Sequence, residues 1–258
     1  MPGDIETARG MPAHAKLNLA KRILNRLGRP LGVAPFPIAW GPPEGAPDER
    51  RQVFETIYHK NWWHSSESVS GRGSQLRQTA RYRKALIRFL EHNHIRSMFD
   101  APCGDLNWMP QVLAAVPIRY VGGDIADAVV AAARSRCQGL DLRQFDICTD
   151  KFPDAEVWHC RDALLHLSFE DVWAALGNAA QSNIQYALLT THRGRLLRNL
   201  DIKTGGVRPL DLEGPPFSFP PALEYLKDSS GLGFPRAVGV WPIETIREVV
   251  ARNGPREP

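Results

Sequence analysis

Short apolar segments alternate with segments of helical periodicity between residues 97 and 190, and this alternation limits the possible folds more than any other feature. The strand-like segments are residues 97–100, 119–122, 142–145, 156–160 and 186–190. The helical segments are residues 109–115, 126–137 and 168–181. Strands that alternate with helices at this spacing predict an α/β fold with a parallel sheet and helices on both faces.

The residues on either side extend this pattern. Ser74 is predicted to cap a long helix. The buried face of that helix would carry Leu76, Thr79, Tyr82, Leu86, Phe89 and Leu90. Residues 193–221 are rich in Gly, Pro and charge, which indicates an insertion loop. Residues 223–227 and 237–241 then provide the closing strands.

The first 47 residues differ in character from the rest. Residues 14–29 combine leucines on one helical face with surrounding lysines and arginines, and residues 30–47 contain six prolines. We therefore expect a basic amphipathic extension and a Pro-rich linker over residues 1–47, followed by one α/β domain over residues 48–258. A basic amphipathic segment of this kind can contact an anionic membrane surface peripherally.

Composition excludes several classes of protein. The 258 residues are 43% hydrophobic and 23% charged, as in globular chains, and no apolar run reaches membrane-spanning length. The N-terminus lacks the apolar core of a secretory signal, so a cytoplasmic location is expected. The four cysteines form no CxxC pair or Cys/His cluster, so no metal is expected. A net charge of +4 is too small to indicate nucleic-acid binding.

Acidic residues end three consecutive predicted strands, namely Asp100, Asp124 and Asp146. Ligands of an open parallel sheet bind beyond the carboxyl ends of its strands, and a carboxylate there can accept hydrogen bonds from both ribose hydroxyls of a nucleoside. A single aspartate after a strand is more often structural, because aspartate is common in turns. Three such residues in register favour a nucleoside site, with Asp124 at the ribose and Asp146 near the adenine.

The loop after the first strand, Asp-Ala-Pro-Cys-Gly-Asp at residues 100–105, indicates which nucleoside is bound. A dinucleotide site uses G-x-G-x-x-G to present backbone N–H groups to a pyrophosphate. Here Pro102 has no N–H, and Asp105 would repel phosphate. A cofactor that lacks phosphate and carries a sulfonium and an amino group suits this acidic loop, so S-adenosylmethionine is the predicted cofactor.

Four segments of the chain resemble the successive motifs of class I S-adenosylmethionine-dependent methyltransferases. They are MFDAPCGDLNWM, YVGGDI, FDI and HCRDALLHLSFEDV. They are most similar to a bacterial branch with a D-x-P-C-G-D-x-x-W-M loop, whose members are often associated with glycan or capsule modification. The resemblance covers residues 54–241. It implies a Rossmann-like, doubly wound sheet of seven strands with an antiparallel last strand, in three αβα layers.

The resemblance also implies a set of cofactor contacts. The expected cofactor-binding residues are Asp100, Pro102, Cys103, Gly104, Asp105, Trp108, Asp124, Ile125, Asp146, Ile147 and Arg161. Within this set, Asp100 and Gly104 would contact the methionine part of the cofactor. Asp124 would contact the ribose, and Asp146 with Ile147 the adenine. The loop has one glycine where the class pattern has several, which leaves the arrangement of residues 101–103 around the cofactor open.

The segment after the fourth strand carries the candidate catalytic residues Arg161, Asp162 and His166. Methyl transfer to a hydroxyl commonly uses a base, and an imidazole with a pKa of about 6.5 suits that step. His166 is therefore the candidate base, unless it caps the next helix or packs against Trp108. Asp162 would orient the histidine or act as the base itself. Arg161 would hold an acidic substrate group or pair with a loop carboxylate.

Residues upstream of the long helix are candidates for a lid over the cofactor and substrate. They are Trp62, Trp63, Ser70, Gly71 and Gly73, and His192 after the fifth strand is a further, weaker candidate for the substrate side. Aromatic side chains beside a Gly-rich loop can close over a cofactor and exclude water. The alternative is that the two tryptophans anchor the N-terminal segment.

The expected activity is O-methylation of a hydroxyl on a glycan or small-molecule acceptor, and three other functions stay open. N-methylation is disfavoured because the Asn/Asp-Pro-Pro-aromatic motif of many amino methyltransferases is absent. RNA methylation would use the basic first thirty residues to hold phosphates. A non-catalytic scaffold that binds S-adenosylmethionine would be expected to lack His166 and Asp162, and both are present.

Overall fold

The computed structural model describes residues 39–194, 197–228 and 235–255, together with Leu24. Apart from Leu24, the predicted basic amphipathic segment at residues 14–29 lies outside the described residues, as does most of the predicted linker. No helix in the described part of the chain is long and apolar enough to cross a membrane.

Seven strands form one sheet. They are β1 (Ser97–Asp100), β2 (Arg119–Asp124), β3 (Asp141–Gln144), β4 (Val157–Cys160), β5 (Tyr186–His192), β6 (Glu224–Lys227) and β7 (Arg236–Pro242). Their order in the sheet is β3-β2-β1-β4-β5-β7-β6. The strands β1 to β5 are parallel, whereas β7 runs antiparallel to β5 and β6. This confirms the predicted doubly wound sheet with an antiparallel last strand.

Helices cover both faces of the sheet. The described helices are α1 (Arg50–His59), α2 (Leu76–His92), α3 (Met109–Leu113), α4 (Asp127–Arg136), α5 (Phe169–Ala180) and α6 (Ile243–Asn253), with 3-10 turns at Arg72–Ser74 and Leu164–His166. Successive side chains of a strand point to opposite faces. On β1, Met98 therefore belongs to the apolar core that contains α2 and α3, whereas Phe99 belongs to the core that contains α5 and α6. The fold therefore has the three predicted layers, with the sheet between two layers of helices.

The beginning of α2 differs from the prediction. Ser74 lies in a 3-10 turn, and α2 begins at Leu76 with no side-chain capping bond from the preceding Gln75. The carboxylate of Glu67 instead accepts a hydrogen bond of 2.7 Å from the Leu76 N–H, so the helix is capped by a residue nine positions upstream. The predicted buried face is correct except for Leu76, which is 36% exposed.

Two helices that flank the alternating region, α1 and α6, were not among the predicted elements. Helix α1 buries only Val53 and Ile57, and Glu49 caps it by accepting hydrogen bonds from the Arg51 and Gln52 N–H groups. Helix α6 buries Ile243, Ile246 and Val249. Two buried positions give α1 a weak periodic signal, whereas the apolar residues of α6 recur at intervals of three and form a clear helical pattern that the prediction did not use.

The predicted loop at residues 193–221 has no helix or strand in its described part, yet it belongs to the core. Its apolar side chains that are at most 3% exposed are Leu210, Leu212, Phe217 and Phe219, and the side chain of Arg208 is fully buried as well. Val207 and Trp40 exchange two backbone hydrogen bonds, of 2.9 and 2.8 Å. Trp40 thus contacts the domain, although it precedes the predicted boundary at residue 48.

Candidate active site

A cavity of about 490 Å³ lies at the carboxyl ends of β1 to β5. In this fold the strand order reverses between β1 and β4, and that reversal is where open α/β sheets bind their ligands. The predicted site residues that line the cavity are Trp63, Ser70, Gly71, Gly73, Asp100, Pro102, Cys103, Gly104, Trp108, Asp124, Ile125, Asp146, Ile147, Arg161, Asp162, His166 and His192. Most of the predicted residues are therefore brought together.

Trp62 does not line the cavity, contrary to its predicted place in the lid. Its side chain is 42% exposed, and its ring lies 6.4 Å from that of His64. The neighbouring Trp63 points inward instead, with its ring 5.4 Å from Tyr58 and 5.0 Å from His166. Both tryptophans follow the end of α1, where the backbone turns, so only one of the two indoles can face inward.

Asp105 also stays outside the cavity lining, contrary to its predicted cofactor contact. The residue is 3% exposed, and its carboxylate accepts hydrogen bonds from the Ser68 hydroxyl at 2.7 Å, the Val69 N–H at 3.2 Å and the Ser70 hydroxyl at 3.2 Å. Asp105 therefore holds the loop before α2 against the loop after β1. This contact joins two segments far apart in sequence.

Gly104 is required by that same contact. Its φ is +60°, and a Cβ at this position would lie 2.4 Å from the Ser70 Oγ. Gly104 was predicted to contact the methionine part of the cofactor. In the structure, the group that approaches this backbone is the hydroxyl of Ser70.

The backbone amides of the loop after β1 are already used within the fold. The Cys103 N–H donates to the Gly123 carbonyl at 2.7 Å, and the Gly104 N–H to the Asp124 carboxylate at 3.1 Å. The Asp105 N–H donates to the Ser70 hydroxyl at 3.0 Å. A dinucleotide site offers such amides to a pyrophosphate. In this loop, none of these three amides is free to bind a pyrophosphate.

Asp124 lies at the end of β2 and is 1% exposed. Its two carboxylate oxygens accept hydrogen bonds of 3.1 Å from the Gly104 and Ala126 N–H groups. Burial raises the pKa of Asp124 to about 7, because these two amides only partly replace the lost hydration. The carboxylate keeps lone pairs for further donors, as a pair of ribose hydroxyls would supply.

Asp100 lies at the end of β1 within a buried network. One oxygen accepts a hydrogen bond of 2.7 Å from the Tyr120 hydroxyl, and the other lies 2.6 Å from His159 Nδ1. His159 Nε2 lies 2.9 Å from the Tyr82 hydroxyl. Asp100 thus joins β1, β2, β4 and α2 beneath the cavity. Sequence analysis missed His159, although it belongs to the quoted segment that begins at this residue.

Asp146, predicted to lie near the adenine, is paired with a residue that sequence analysis missed. Arg50 of α1 donates two hydrogen bonds to one Asp146 oxygen, at 2.8 and 3.1 Å, and one to Asp171 at 2.6 Å. Phe54 and Tyr58 of the same helix also line the cavity. Arg50 therefore holds α1 across the ends of β3 and α5.

Arg161 pairs with a loop carboxylate, one of its two predicted roles. Its Nε and Nη2 lie 2.9 and 3.2 Å from the two oxygens of Asp228, and Nη2 also donates to the Gly73 carbonyl at 3.1 Å. The guanidinium lies over the rings of Tyr82 and Trp108, at 5.2 and 5.7 Å. Because both side chains of the ion pair are almost fully buried, the charge of Arg161 is used to hold the fold together.

Asp162 is held by two guanidinium groups. Its Oδ2 lies 2.6 Å from Arg236 Nη1 and 3.4 Å from Arg161 Nη1. Burial raises the pKa of Asp162, but the two arginines outweigh burial and hold that pKa below its ordinary value. A carboxylate so stabilised in its charged form is a poor proton acceptor, which argues against Asp162 as the base.

His166 is oriented by a backbone carbonyl. Its Nδ1 lies 2.8 Å from the Gly206 carbonyl, so Nδ1 carries the hydrogen and Nε2 keeps its lone pair. Gly206 therefore takes the orienting role that was predicted for Asp162. Burial lowers the pKa of His166, which keeps the imidazole neutral near pH 7. The ring packs on Trp63, whereas Trp108 packs on Tyr82 and on His159.

His192 ends β5 and is 1% exposed. Its Nδ1 accepts a hydrogen bond of 3.2 Å from the Leu210 N–H, so the hydrogen of the neutral ring is on Nε2. Burial and the nearby Arg236 lower the pKa of His192 to about 4. Among the residues that the structure describes, no group of three or more His, Cys, Asp or Glu side chains is placed to hold a metal ion.

No protein-family model and no curated protein sequence matches this chain. Its fold is similar to that of magnesium protoporphyrin IX methyltransferase (ChlM) from Synechocystis PCC 6803. The structure with bound SAM has a sequence 13% identical to this chain and a TM-score of 0.53. The match covers 76% of this chain and 98% of the ChlM chain. The structure with bound SAH is 14% identical, covers 74% and 97%, and has a TM-score of 0.51. At 13–14% sequence identity, this similarity shows the fold alone.

Proposed function

We propose that this chain is an S-adenosylmethionine-dependent methyltransferase that methylates a hydroxyl of a glycan or small molecule. The observation that carries the proposal is the pairing of a buried carboxylate, Asp124, with a loop whose amides at residues 103–105 are already bonded. Such a site accepts hydroxyl donors and offers little to a pyrophosphate. It fits a nucleoside cofactor that lacks phosphate.

The cavity lining fits each part of this cofactor. Asp124 would accept the ribose hydroxyls, and the apolar Ile125, Phe145 and Ile147 would surround the adenine. Asp100 would face the positively charged methionine part. When bound, S-adenosylmethionine supplies an electrophilic methyl group on a sulfonium centre.

The acceptor would lie over the ends of β4 and β5. His166 would take the hydroxyl proton on Nε2, because Gly206 holds its Nδ1–H and burial keeps the ring neutral. Trp63 and the loop at residues 70–74 line the same region of the cavity and would exclude water. A hydroxyl needs a neutral base to remove its proton, whereas an amine attacks through its own lone pair. The presence of a neutral His166 in the cavity therefore favours O-methylation.

Titration calorimetry tests the cofactor assignment. We expect S-adenosylhomocysteine to bind and NAD to show no comparable affinity. Tight binding of NAD would overturn the proposal. The acceptor is then sought by mass spectrometry of glycans from cells with and without the gene, where a shift of one methyl group identifies the modified species. Unchanged glycans, together with transfer to a different class of molecule, would overturn the acceptor assignment.

A further inference from the structure

Two buried polar atoms on the acceptor side of the cavity have no hydrogen-bond partner among the described residues. They are His192 Nε2 and Asp162 Oδ1. Both residues line the cavity. Buried polar groups in folded proteins normally have partners. Two unpartnered atoms in the wall of one cavity therefore indicate where a ligand provides the missing bonds.

These two residues are held next to each other by their neighbours. The Asp162 N–H donates to the Thr190 hydroxyl at 2.8 Å, and Thr190 lies two positions before His192 on β5, so both side chains share a face of the sheet. Arg236 lies opposite His192 in the register of β5 with β7. The same Arg236 donates to Asp162 Oδ2 at 2.6 Å, which leaves Oδ1 for another donor.

The two atoms differ in what they require. His192 Nε2 carries a hydrogen, because Nδ1 accepts from the Leu210 N–H, and it therefore needs an acceptor. Asp162 Oδ1 belongs to an ionised carboxylate and needs a donor. A hydroxyl supplies both functions. An ammonium group cannot accept from His192, and a phosphate or carboxylate would be repelled by Asp162.

We propose that Asp162 and His192 form a subsite for a second hydroxyl of the acceptor, beside the hydroxyl that His166 deprotonates. His166 ends the 3-10 turn after β4 and Asp162 lies four residues before it, so the two hydroxyls would be close neighbours on the substrate. The acceptor is then a sugar or another polyol with a vicinal diol, and simple alcohols and isolated phenols are excluded as good substrates. This inference rests on the proposed function and narrows its substrate class.

Binding measurements on the full chain saturated with S-adenosylhomocysteine test this subsite. The probes are cyclohexane-1,2-diol and methyl glycopyranosides, with cyclohexanol as the matched monohydroxy control. We expect the diols to bind and His192→Phe to weaken that binding by about tenfold, because it removes the N–H but keeps an aromatic ring. Asp162→Asn should weaken it similarly. His59→Phe, at an exposed position on α1, should change nothing.

Two further readouts separate the subsite from a structural role. The affinity for S-adenosylhomocysteine should be unchanged in His192→Phe, which shows that the variant is folded. In the unmodified protein, the ¹⁵N–H signal of His192 Nε2 should shift when a diol is added and stay in place with cyclohexanol. Equal binding of diol and cyclohexanol, or diol binding that ignores both substitutions, would overturn the subsite and leave the methyltransferase assignment standing. Failure of the unmodified protein to bind S-adenosylhomocysteine would overturn both.

Discussion

The two halves of the cavity hold their buried carboxylates in different ways. In the cofactor half, over β1 to β3, Asp124 is held by two backbone amides. In the acceptor half, over β4, β5 and β7, Asp162 is held by the guanidinium groups of Arg161 and Arg236. Burial raises the pKa of Asp124 to about 7, whereas the arginines hold the pKa of Asp162 below its ordinary value.

This difference shows that depth of burial does not by itself decide the charge of a carboxylate. Two neutral dipoles leave Asp124 close to its protonated form, ready to gain from hydroxyl donors that a ligand brings. Two full positive charges keep Asp162 ionised without any ligand. The charge of the carboxylate in the cofactor half therefore depends on what is bound, whereas in the acceptor half the protein sets it.

The largest effect is expected for His166→Ala. Loss of the base should lower turnover by about 10²–10⁴-fold. Cofactor affinity should be nearly unchanged, because His166 lies in the acceptor half. The wild-type rate should rise with pH to a plateau near neutrality, since burial places the pKa of His166 below its ordinary value, and the variant should lose that rise. Turnover is measured with the acceptor identified by mass spectrometry; near-normal turnover would make the histidine structural.

The second prediction addresses the cofactor half. Asp124→Ala should weaken binding of S-adenosylhomocysteine by about a hundredfold or more, because each charge-assisted hydrogen bond to a ribose hydroxyl is worth about 1.5–3 kcal/mol. Calorimetry measures the affinity. Asp127→Ala is the matched control, since its carboxylate is 55% exposed and lies outside the cavity. Equal effects of the two substitutions would contradict the assignment of Asp124.

The third prediction concerns the buried ion pair between Arg161 and Asp228 in the acceptor half. Arg161→Met leaves the Asp228 carboxylate with less compensation in a fully buried position, so the free energy of unfolding should fall by roughly 3 kcal/mol. Arg143→Met breaks an ion pair whose side chains are 45% and 51% exposed, and should cost less than about 1 kcal/mol. Urea denaturation measures both. Similar values for the two variants would show that the buried pair adds no special stability.

A smaller effect is expected from pH. Asp124 has a pKa of about 7 in the free protein, so it is largely protonated at lower pH and must release its proton before it can accept two hydroxyl hydrogens. Affinity for S-adenosylhomocysteine should therefore fall as the pH drops through 7, by at most about tenfold per pH unit. Calorimetry across this range gives the profile. A pH dependence that persists in Asp124→Ala would assign it to another group.

The smallest effect is expected from shortening the chain. A protein that begins at Asp48 loses the hydrogen bonds between Trp40 and Val207, which adjoin the Gly206 carbonyl that orients His166. Compared with a protein that begins at residue 39, it should bind S-adenosylhomocysteine equally well and show a turnover lower by a few fold. Unfolding of the shorter protein would place the domain boundary ahead of residue 48.

Sequence analysis predicted the cofactor half better than the acceptor half, for a physical reason. The strand ends at Asp100 and Asp124 follow from local alternation, and the loop that joins Asp100 to the next helix is short. The partners that define the acceptor half come from far along the chain, such as Asp228 and Arg236 for Arg161 and Asp162, and Gly206 for His166. No local pattern reports such contacts.

The errors arise from the course of the backbone and from contacts between separate segments. Ser74 has the side chain of a helix cap, but Glu67, nine residues before Leu76, takes that role because the backbone folds back there. Trp62 and Trp63 are equivalent as sequence, and only the backbone turn after α1 decides which one faces the cavity. Arg50 was missed because its partners, Asp146 and Asp171, are 96 and 121 residues away.

The position of β7 in the sheet sets the order in which the two halves can assemble. β6 precedes β7 in the chain but lies outside it, at the edge, so β6 is connected to the rest of the sheet only through β7. Loop closure over long separations is slow, whereas the hydrogen bonds that Asp124 accepts span at most 21 residues. A nascent chain can thus form the cofactor half of the cavity early. Asp228 and Arg236 arrive with the final hairpin, so the acceptor half is the last part of the cavity to be completed.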